Sequence, residues 1–143
     1  MKKVFLTLAL SVFASSFASA ETITYANSEG CQIEVENRRN GMVLYISADG
    51  DQEIIGVTHD RTKGSFAYCA DQALQVHSYA GSAGELIMLS CSAHKNDRAT
   101  TRGRADIEFI GEELKSVRLE GHVKKMFGWK KDAQINCVDL ERQ

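Results

Sequence analysis

The fold is decided by the segment from Arg104 to Val138, which reads RADIEFIGEELKSVRLEGHVKKMFGWKKDAQINCV. In its first part Ala105, Ile107 and Phe109 alternate with acidic residues, and a second alternation of apolar and polar residues runs from Val117 to Val123. An apolar residue at every second position is typical of a β-strand with one buried face. The segment therefore predicts two half-buried strands.

Turn residues separate these two strands from each other and from a third one. Gly111-Glu112-Glu113 predicts the first turn, and Gly128 predicts the second. Ile135 and Cys137 then share one parity, which predicts the third strand. We expect a three-stranded antiparallel meander with a cysteine in its last strand.

The first twenty residues have the composition of an export signal. Met1-Lys2-Lys3 is positively charged, residues 4–17 are apolar or small, and Ala18-Ser19-Ala20 matches the pattern that signal peptidase accepts. We expect a secretory signal peptide at residues 1–20, removed from a mature protein that is exported and is periplasmic or extracellular. No later segment reaches the ~20 apolar residues of a membrane span, so we expect no transmembrane anchor in the mature chain.

Residues 21–143 have the length of one domain. Without Lys2 and Lys3 they carry 15 Lys and Arg against 19 Asp and Glu, a formal charge of −4. A general nucleic-acid binder needs an excess of cations to contact phosphates. The charge balance therefore argues against a nucleic-acid partner, although it leaves room for a local basic patch.

Four cysteines, Cys31, Cys69, Cys91 and Cys137, lie in residues 21–143. An even number of cysteines in an exported chain predicts two disulfides, and three pairings are possible. We favour Cys91 with Cys137, because both share a parity with apolar neighbours, and Cys31 with Cys69 follows by elimination. A metal site is a weaker alternative because the chain contains no Cys-x-x-Cys motif.

Further strands are predicted where turn residues interrupt alternating patterns. Asn40-Gly41 and Asp49-Gly50 are strong signals for two-residue hairpin turns, because both residues of each pair tolerate a positive φ. Residues 81–84 predict another turn, and residues 85–92 predict a strand. The polar run at residues 95–103 predicts a mobile surface loop.

Residues 65–74 allow two interpretations. Their apolar residues have helical spacing, which predicts one short helix with Cys69 on its buried side, but they also fit a strand at 66–69 followed by another at 74–79. The absence of proline from the sequence fits strands whose turns are made by glycine and asparagine. Seven or eight short strands in one domain predict a mainly β fold, either a small antiparallel β-barrel or a sandwich.

Two sets of residues have side chains of the kinds found in catalytic or metal sites. Their positions in the sequence do not suit such a site. His59, Asp60 and Ser65 could supply a nucleophilic triad, yet they lie in one polar stretch without a Gly-x-Ser-x-Gly turn, so a solvated loop is the better interpretation. Cys91 and His94 could begin a metal site, but Cys91 is better used in a disulfide. His77 and His122 lie on the polar parity of predicted strands, where surface histidines are expected.

A calcium-loop template finds acidic residues at four of its positions but lacks two residues that it needs. The matching residues are Asp49, Asp51, Glu53 and Asp60. Ile54 stands where the sharp bend of such a loop needs glycine, and the last position lacks a bidentate glutamate. We therefore predict no catalytic site, no metal and no cofactor.

One cluster is a stronger candidate for a functional site than these residues, and we call it the basic–aromatic hairpin (residues 124–131). Its candidate binding residues are Lys124, Lys125, Phe127, Trp129, Lys130 and Lys131. Lysine pairs beside aromatic rings are typical of contacts with membrane interfaces, anionic glycans or partner proteins. Alternatively, Phe127 and Trp129 fold inward and plug one end of a barrel while the lysines stay solvated.

A second group of cations, Arg98, Arg102 and Arg104, precedes the hairpin in the sequence. The sequence does not fix its distance from the basic–aromatic hairpin. If the two groups are adjacent, an acidic protein carries one basic face.

These observations favour a non-catalytic exported β-domain that contacts an unknown envelope or extracellular protein, or an anionic surface, through residues 124–131. The alternative is a barrel that carries a small apolar ligand or a lipid in its interior. A weaker alternative is a hydrolase that uses His59 and Asp60.

Overall fold

The computed structural model describes residues 21–143, and the predicted signal peptide at residues 1–20 lies outside them. The described chain is mainly β, with 74% of its residues in strands and 2% in helix. Within this range no helix is long and apolar enough to cross a membrane. The strands are β1 Glu21–Ala26, β2 Cys31–Arg38, β3 Gly41–Ala48, β4 Asp51–Thr58, β5 Gly64–Phe66, β6 Ala73–Ala80, β7 Gly84–Lys95, β8 Arg98–Ile110, β9 Glu113–Lys125, β10 Gly128–Cys137 and β11 Glu141–Arg142.

The strands form two antiparallel sheets that follow the chain almost in order. The first sheet has the order β11-β1-β2-β3-β4-β5, and the second has the order β10-β9-β8-β7-β6. In residues 21–143 no ladder joins the two sheets, so they do not close into a single sheet. Together the two sheets contain eleven strands in the described residues, more than the predicted seven or eight. One reason is that β5 and β11 have only three and two residues, too few to display an alternating pattern.

The inward faces of both sheets contribute to one hydrophobic core. Ile33 and Leu44 in the first sheet, and Ile87, Ile107 and Val117 in the second, are fully buried. They belong to the same cluster of contacting side chains. The alternation that predicted these strands therefore reflects one face packed in the core and one face in solvent.

The predicted meander is confirmed as β8, β9 and β10. Asp106 pairs with Arg118 across β8 and β9, and Leu119 pairs with Ile135 across β9 and β10. The turn at Gly111 lies where the sequence predicted it. The second turn is made by residues 126–127, and Gly128 begins β10 with a φ of 138°.

The prediction of a mobile loop at residues 95–103 is wrong. The strand β7 continues to Lys95, β8 begins at Arg98, and the turn between them has Asn96 at φ 53° and Asp97 at φ 62°. Two successive positive φ values match the twist of a two-residue hairpin. Most of this segment extends past the core and is exposed or only half-buried, so the sequence lacks the apolar alternation that reveals a strand.

The two predicted hairpin turns of the first sheet are confirmed, one with a shift of a residue. Asp49 and Gly50 form the turn between β3 and β4, with φ values of 50° and 85°. The other turn is made by residues 39–40, and Gly41 already belongs to β3. A Cβ on Gly41 would lie 2.1 Å from the carbonyl oxygen of Val57, so this glycine permits the close approach of β4.

Both interpretations of residues 65–74 are partly correct. The short strand β5 ends at Phe66, one 3₁₀ turn covers Ala67–Cys69, and β6 begins at Ala73. Cys69 is buried, as the helical interpretation predicted. This 3₁₀ turn carries the chain from the first sheet to the second.

The prediction of two disulfides is confirmed, but the predicted pairing is wrong. Cys31 bonds to Cys137 with a Cα–Cα distance of 5.8 Å, and Cys69 bonds to Cys91 with 5.9 Å. Cys91 and Cys137 do share the inward face, but β8 and β9 lie between their strands. Three strand spacings amount to roughly 14 Å, about twice the separation that a disulfide spans.

Each disulfide joins parts of the chain that the sheet ladders leave unconnected. The Cys31–Cys137 bond links β2 in the first sheet to β10 in the second. The Cys69–Cys91 bond fixes the 3₁₀ turn against β7. Disulfides of this kind are typical of proteins in an oxidising, exported compartment.

Candidate functional site

Two long hairpins of the second sheet end on the same side of the molecule. The turn between β7 and β8 and the turn between β9 and β10 lie at one end of the sheet, because successive strands run in opposite directions. The turn at Gly111 lies at the opposite end. We call the shared end, residues 94–102 and 122–132, the basic end.

The basic end concentrates positive charge. It contains seven Lys and Arg residues and two Asp residues, whereas the other described residues contain eight Lys and Arg and seventeen Asp and Glu. Within residues 21–143, six of its seven cations lie farther than 4 Å from every carboxylate oxygen. These six are Lys95, Arg98, Arg102, Lys124, Lys125 and Lys130.

The tip of the basic–aromatic hairpin is apolar and fully exposed. Met126 is 89% exposed and Phe127 is 97% exposed. The alternative in which Phe127 folds inward as a plug is therefore wrong. The turn places both side chains beyond the end of the core, roughly 15–20 Å past Gly121 at ~3.3 Å per residue.

Trp129 occupies a different position from Phe127. Its ring is half-buried on the outer face of the second sheet, where it lies opposite Lys124 on β9. The guanidinium carbon of Arg102 lies 4.4 Å from the ring centre, and the Lys124 ammonium nitrogen lies 5.5 Å from it. Trp129 is thus neither an inward plug nor a free surface residue, since two cations hold it in place.

The stack on Trp129 brings the two predicted groups of cations together. Arg102 pairs in register with His122 of β9, which in turn pairs with Lys131 of β10. Arg104 lies on the same outer face, but Asp106 binds its guanidinium at 3.0 Å and raises its pKa. The two groups of cations are therefore adjacent and form one basic face, which the sequence alone did not decide. Arg102 is the residue that joins the two groups.

The four lysines of the hairpin are divided between its two faces. Lys124 and Lys131 share the outer face with Trp129, and Lys125 and Lys130 alternate with them onto the opposite face. Only Lys131 has an acidic neighbour within ion-pair distance, the Glu120 carboxylate at 3.5 Å. Positive charge consequently surrounds the apolar tip on both sides.

Tyr68 supports the hairpin from beneath, a role that the sequence analysis missed. Gly103 and Gly121 face each other across β8 and β9, and a Cβ on Gly121 would lie 2.3 Å from Cζ of the Tyr68 ring. The Tyr68 hydroxyl donates a hydrogen bond to Asp132 at 3.2 Å. Burial, and then the Asp132 carboxylate, raise the pKa of Tyr68. In the sequence, only these two glycines indicated the contact. The strand register was needed to show that they lie opposite each other.

A cavity of about 490 Å³ lies on the outer face of the second sheet, next to the basic end. Arginine, histidine, glutamate and serine side chains from neighbouring strands line it. They include Ser90, Ser92, Arg102, Arg104, Glu120 and His122. Its charge is mixed, because Glu120 and the nearby Asp106 offset part of the charge of the arginines.

The residues of the candidate triad are not assembled as one. Asp60 accepts hydrogen bonds from the Thr58 hydroxyl and the Thr62 amide, which lower its pKa to about 2. Among the hydrogen bonds of residues 21–143, none joins the His59 side chain to Asp60 or to Ser65. Asp60 therefore organises its own turn.

The other candidate residues are used in the fold. Cys91 is committed to its disulfide, and His94 is exposed beyond it. Glu53 accepts hydrogen bonds from the amides of Ile54 and Tyr68, and burial raises its pKa. In the described part of the chain, no three His, Cys, Asp or Glu side chains converge as metal ligands would.

Comparisons of the chain with protein-family models, with curated proteins and with solved structures found no match. Its function is therefore inferred from the chemistry of its own residues.

Proposed function

We propose that this protein is an exported, non-catalytic binding domain whose basic–aromatic hairpin contacts an anionic partner of the envelope or the extracellular space. The observation that carries the proposal is the tip at Met126 and Phe127, which is almost fully exposed between two lysine pairs. Exposed apolar side chains in a cationic surround are typical of contact surfaces.

The charge distribution supports an anionic partner. The basic end has a formal charge of +5 in a described chain whose total is −4, so the rest of the domain repels the surface that this end attracts. Such an asymmetry orients a protein as it approaches a charged partner and raises the rate of association.

The rigid base of the hairpin also supports a binding role. Trp129 is held by Arg102, and Tyr68 fills the space beneath Gly121. A contact surface that is already ordered loses less conformational entropy when it binds. The hairpin thus presents Met126 and Phe127 on a fixed support.

Export is part of the proposal, and so is the finer architecture. The pattern of residues 1–20 and the two disulfides are both typical of chains that leave the cytoplasm, towards the periplasm or the extracellular space. The single core shared by the two sheets supports a sandwich arrangement for the domain.

The carrier and hydrolase alternatives remain hypotheses that have less support. A carrier would need space between the sheets, where Leu44 and Ile107 are fully buried against other side chains. A hydrolase would need His59 and Asp60 to act together, but Asp60 binds Thr58 and Thr62 instead.

Chromatography on an immobilised polyanion tests the proposal. The wild-type protein should bind a heparin column and elute at raised salt, and Lys125→Glu/Lys130→Glu should elute much earlier because it inverts two unpaired charges. Arg39→Glu/Lys63→Glu changes the net charge equally in loops of the first sheet and should elute like the wild type. Failure of the wild type to bind, or equal elution of the two variants, would contradict the proposal.

A further inference from the structure

The basic end exposes two large apolar side chains at its tip, which a purely electrostatic contact does not require. Lysines alone would serve a soluble polyanion, so the charge of such a partner does not explain a phenylalanine that is 97% exposed. Met126 and Phe127 therefore indicate a partner with an apolar layer beneath an anionic surface. A lipid bilayer has this combination.

The heights of the residues along the hairpin match the layers of a bilayer surface. The two apolar side chains lie at the turn, and Lys124, Lys125, Lys130 and Lys131 lie roughly 3–13 Å behind it at ~3.3 Å per residue. When the tip reaches the acyl boundary, about 5–10 Å deep, the ammonium groups stand at the level of the lipid phosphates. Trp129 lies at the same height, where tryptophan is enriched in membrane proteins.

The arrangement of charge around the tip also fits a surface better than a groove. Lys124 and Lys131 project from one face of the hairpin, and Lys125 and Lys130 project from the other. A partner that enclosed only one face would leave two of these lysines unused. A bilayer that surrounds the tip engages all four.

We infer that the anionic partner is a bilayer rich in acidic lipid, into which Met126 and Phe127 insert while the surrounding lysines bind headgroup phosphates. The inference rests on the proposed function and names the partner of the same site. The acidic remainder of the domain is repelled by the same surface, so the hairpin sets the orientation of the bound protein.

Binding to vesicles of defined composition tests this inference. Wild-type protein should sediment with vesicles of phosphatidylglycerol and phosphatidylcholine, and much less with phosphatidylcholine alone. Phe127→Ala should weaken binding to the acidic vesicles roughly tenfold to a hundredfold, because it removes a side chain that would be buried. Each Lys→Ala replacement at 125 or 130 should weaken it about fivefold.

Tyr79→Ala is the matched control. Tyr79 is 57% exposed and lies on β6 near the opposite end of the same sheet, so its removal should leave vesicle binding unchanged. Equal binding of Phe127→Ala and Tyr79→Ala would overturn the insertion of Phe127. Equal binding of wild type to acidic and neutral vesicles would overturn the role of the lysines.

A fluorescence experiment measures insertion directly. Phe127→Trp in a Trp129→Phe background puts the sole tryptophan at the tip, and acidic vesicles with brominated acyl chains should quench its emission. Unquenched emission from vesicle-bound protein would overturn the inference. Binding to heparin without binding to acidic vesicles would also overturn it, but would leave the proposed function standing. Binding to neither would contradict both.

Discussion

The guanidinium carbon of Arg102 lies 4.4 Å from the centre of the Trp129 ring, across the intervening strand β9. This contact joins β8 to β10 at the point where both strands leave the core. It holds the base of the hairpin that carries Phe127 and keeps the ring on the outer face of the sheet.

Replacement of Arg102 should release the Trp129 ring. In Arg102→Ala we expect emission at longer wavelength, stronger quenching by iodide, and a loss of about 0.5–1 kcal/mol in the free energy of unfolding, since the cation–π contact is partly exposed. Arg104→Ala is the control, because Arg104 lies on the same face and binds Asp106 instead. Identical iodide quenching in the two variants would contradict the role of the stack.

A side chain at position 121 should destabilise the fold while Tyr68 is present. The Cβ of Gly121→Ala would lie 2.3 Å from the Tyr68 ring, so we expect a destabilisation of about 1–3 kcal/mol in urea denaturation. Gly81→Ala should be close to neutral, since no atom lies within 4 Å of that Cβ. The penalty at Gly121 should shrink in a Tyr68→Ala background, and an unchanged penalty would refute the contact.

The two disulfides should differ in their contribution to stability. They close chain separations of 106 and 22 residues, for which the chain-entropy model gives about 4.7 and 3.4 kcal/mol. Cys31→Ala/Cys137→Ala should therefore unfold at lower urea than Cys69→Ala/Cys91→Ala. Non-reducing peptide mapping should recover Cys31 with Cys137, and a peptide that joins Cys91 to Cys137 would contradict the structure.

The Asp60 side chain should stabilise the fold only while its carboxyl group is ionised. Hydrogen bonds from Thr58 and Thr62 lower its pKa from 3.8 to about 2, so its stabilisation is complete above pH 4 and is lost as the pH falls towards 2. The melting temperature of Asp60→Asn should fall below that of the wild type at pH 7, and the difference should narrow between pH 4 and pH 2. A constant difference across that range would contradict the prediction.

Phe127→Ala should leave the fold intact. The side chain is almost fully exposed, so the free energy of unfolding should stay within about 0.5 kcal/mol of the wild type. Urea denaturation and far-ultraviolet circular dichroism would measure this. A larger loss would mean that Phe127 packs against the domain, and would undermine its use as a binding probe.

The sequence predicts strands only where one face of the sheet is buried. Ile107 and Val117 alternate with polar neighbours because one side of their strands packs in the core, and that alternation identified the meander. The segment from Lys95 to Gly103 lies largely beyond the core, where both faces meet solvent. Its strand character depends on pairing with a neighbouring strand, which leaves no periodic pattern in the residues.

The sequence predicted candidate binding residues at 124–131, but it did not predict their geometry. The residue types at 124–131 indicated a contact surface, yet whether Phe127 faced inward depended on how far β9 and β10 extend past the core. Similarly, the shared parity of Cys91 and Cys137 indicated that both lie on one face of a sheet, but it did not indicate how many strands separate them. Distances across a sheet depend on strand order, which single-strand patterns do not contain.

The bond between Cys31 and Cys137 also determines how the domain would respond to mechanical force. A pull on residues 21 and 143 is carried through this covalent bridge, so only the residues before 31 and after 137 can be drawn out. The segment from β2 to β10 lies within the closed loop and bears no tension. A domain pulled between these two residues would thus lose β1 and β11 while Met126 and Phe127 keep their support.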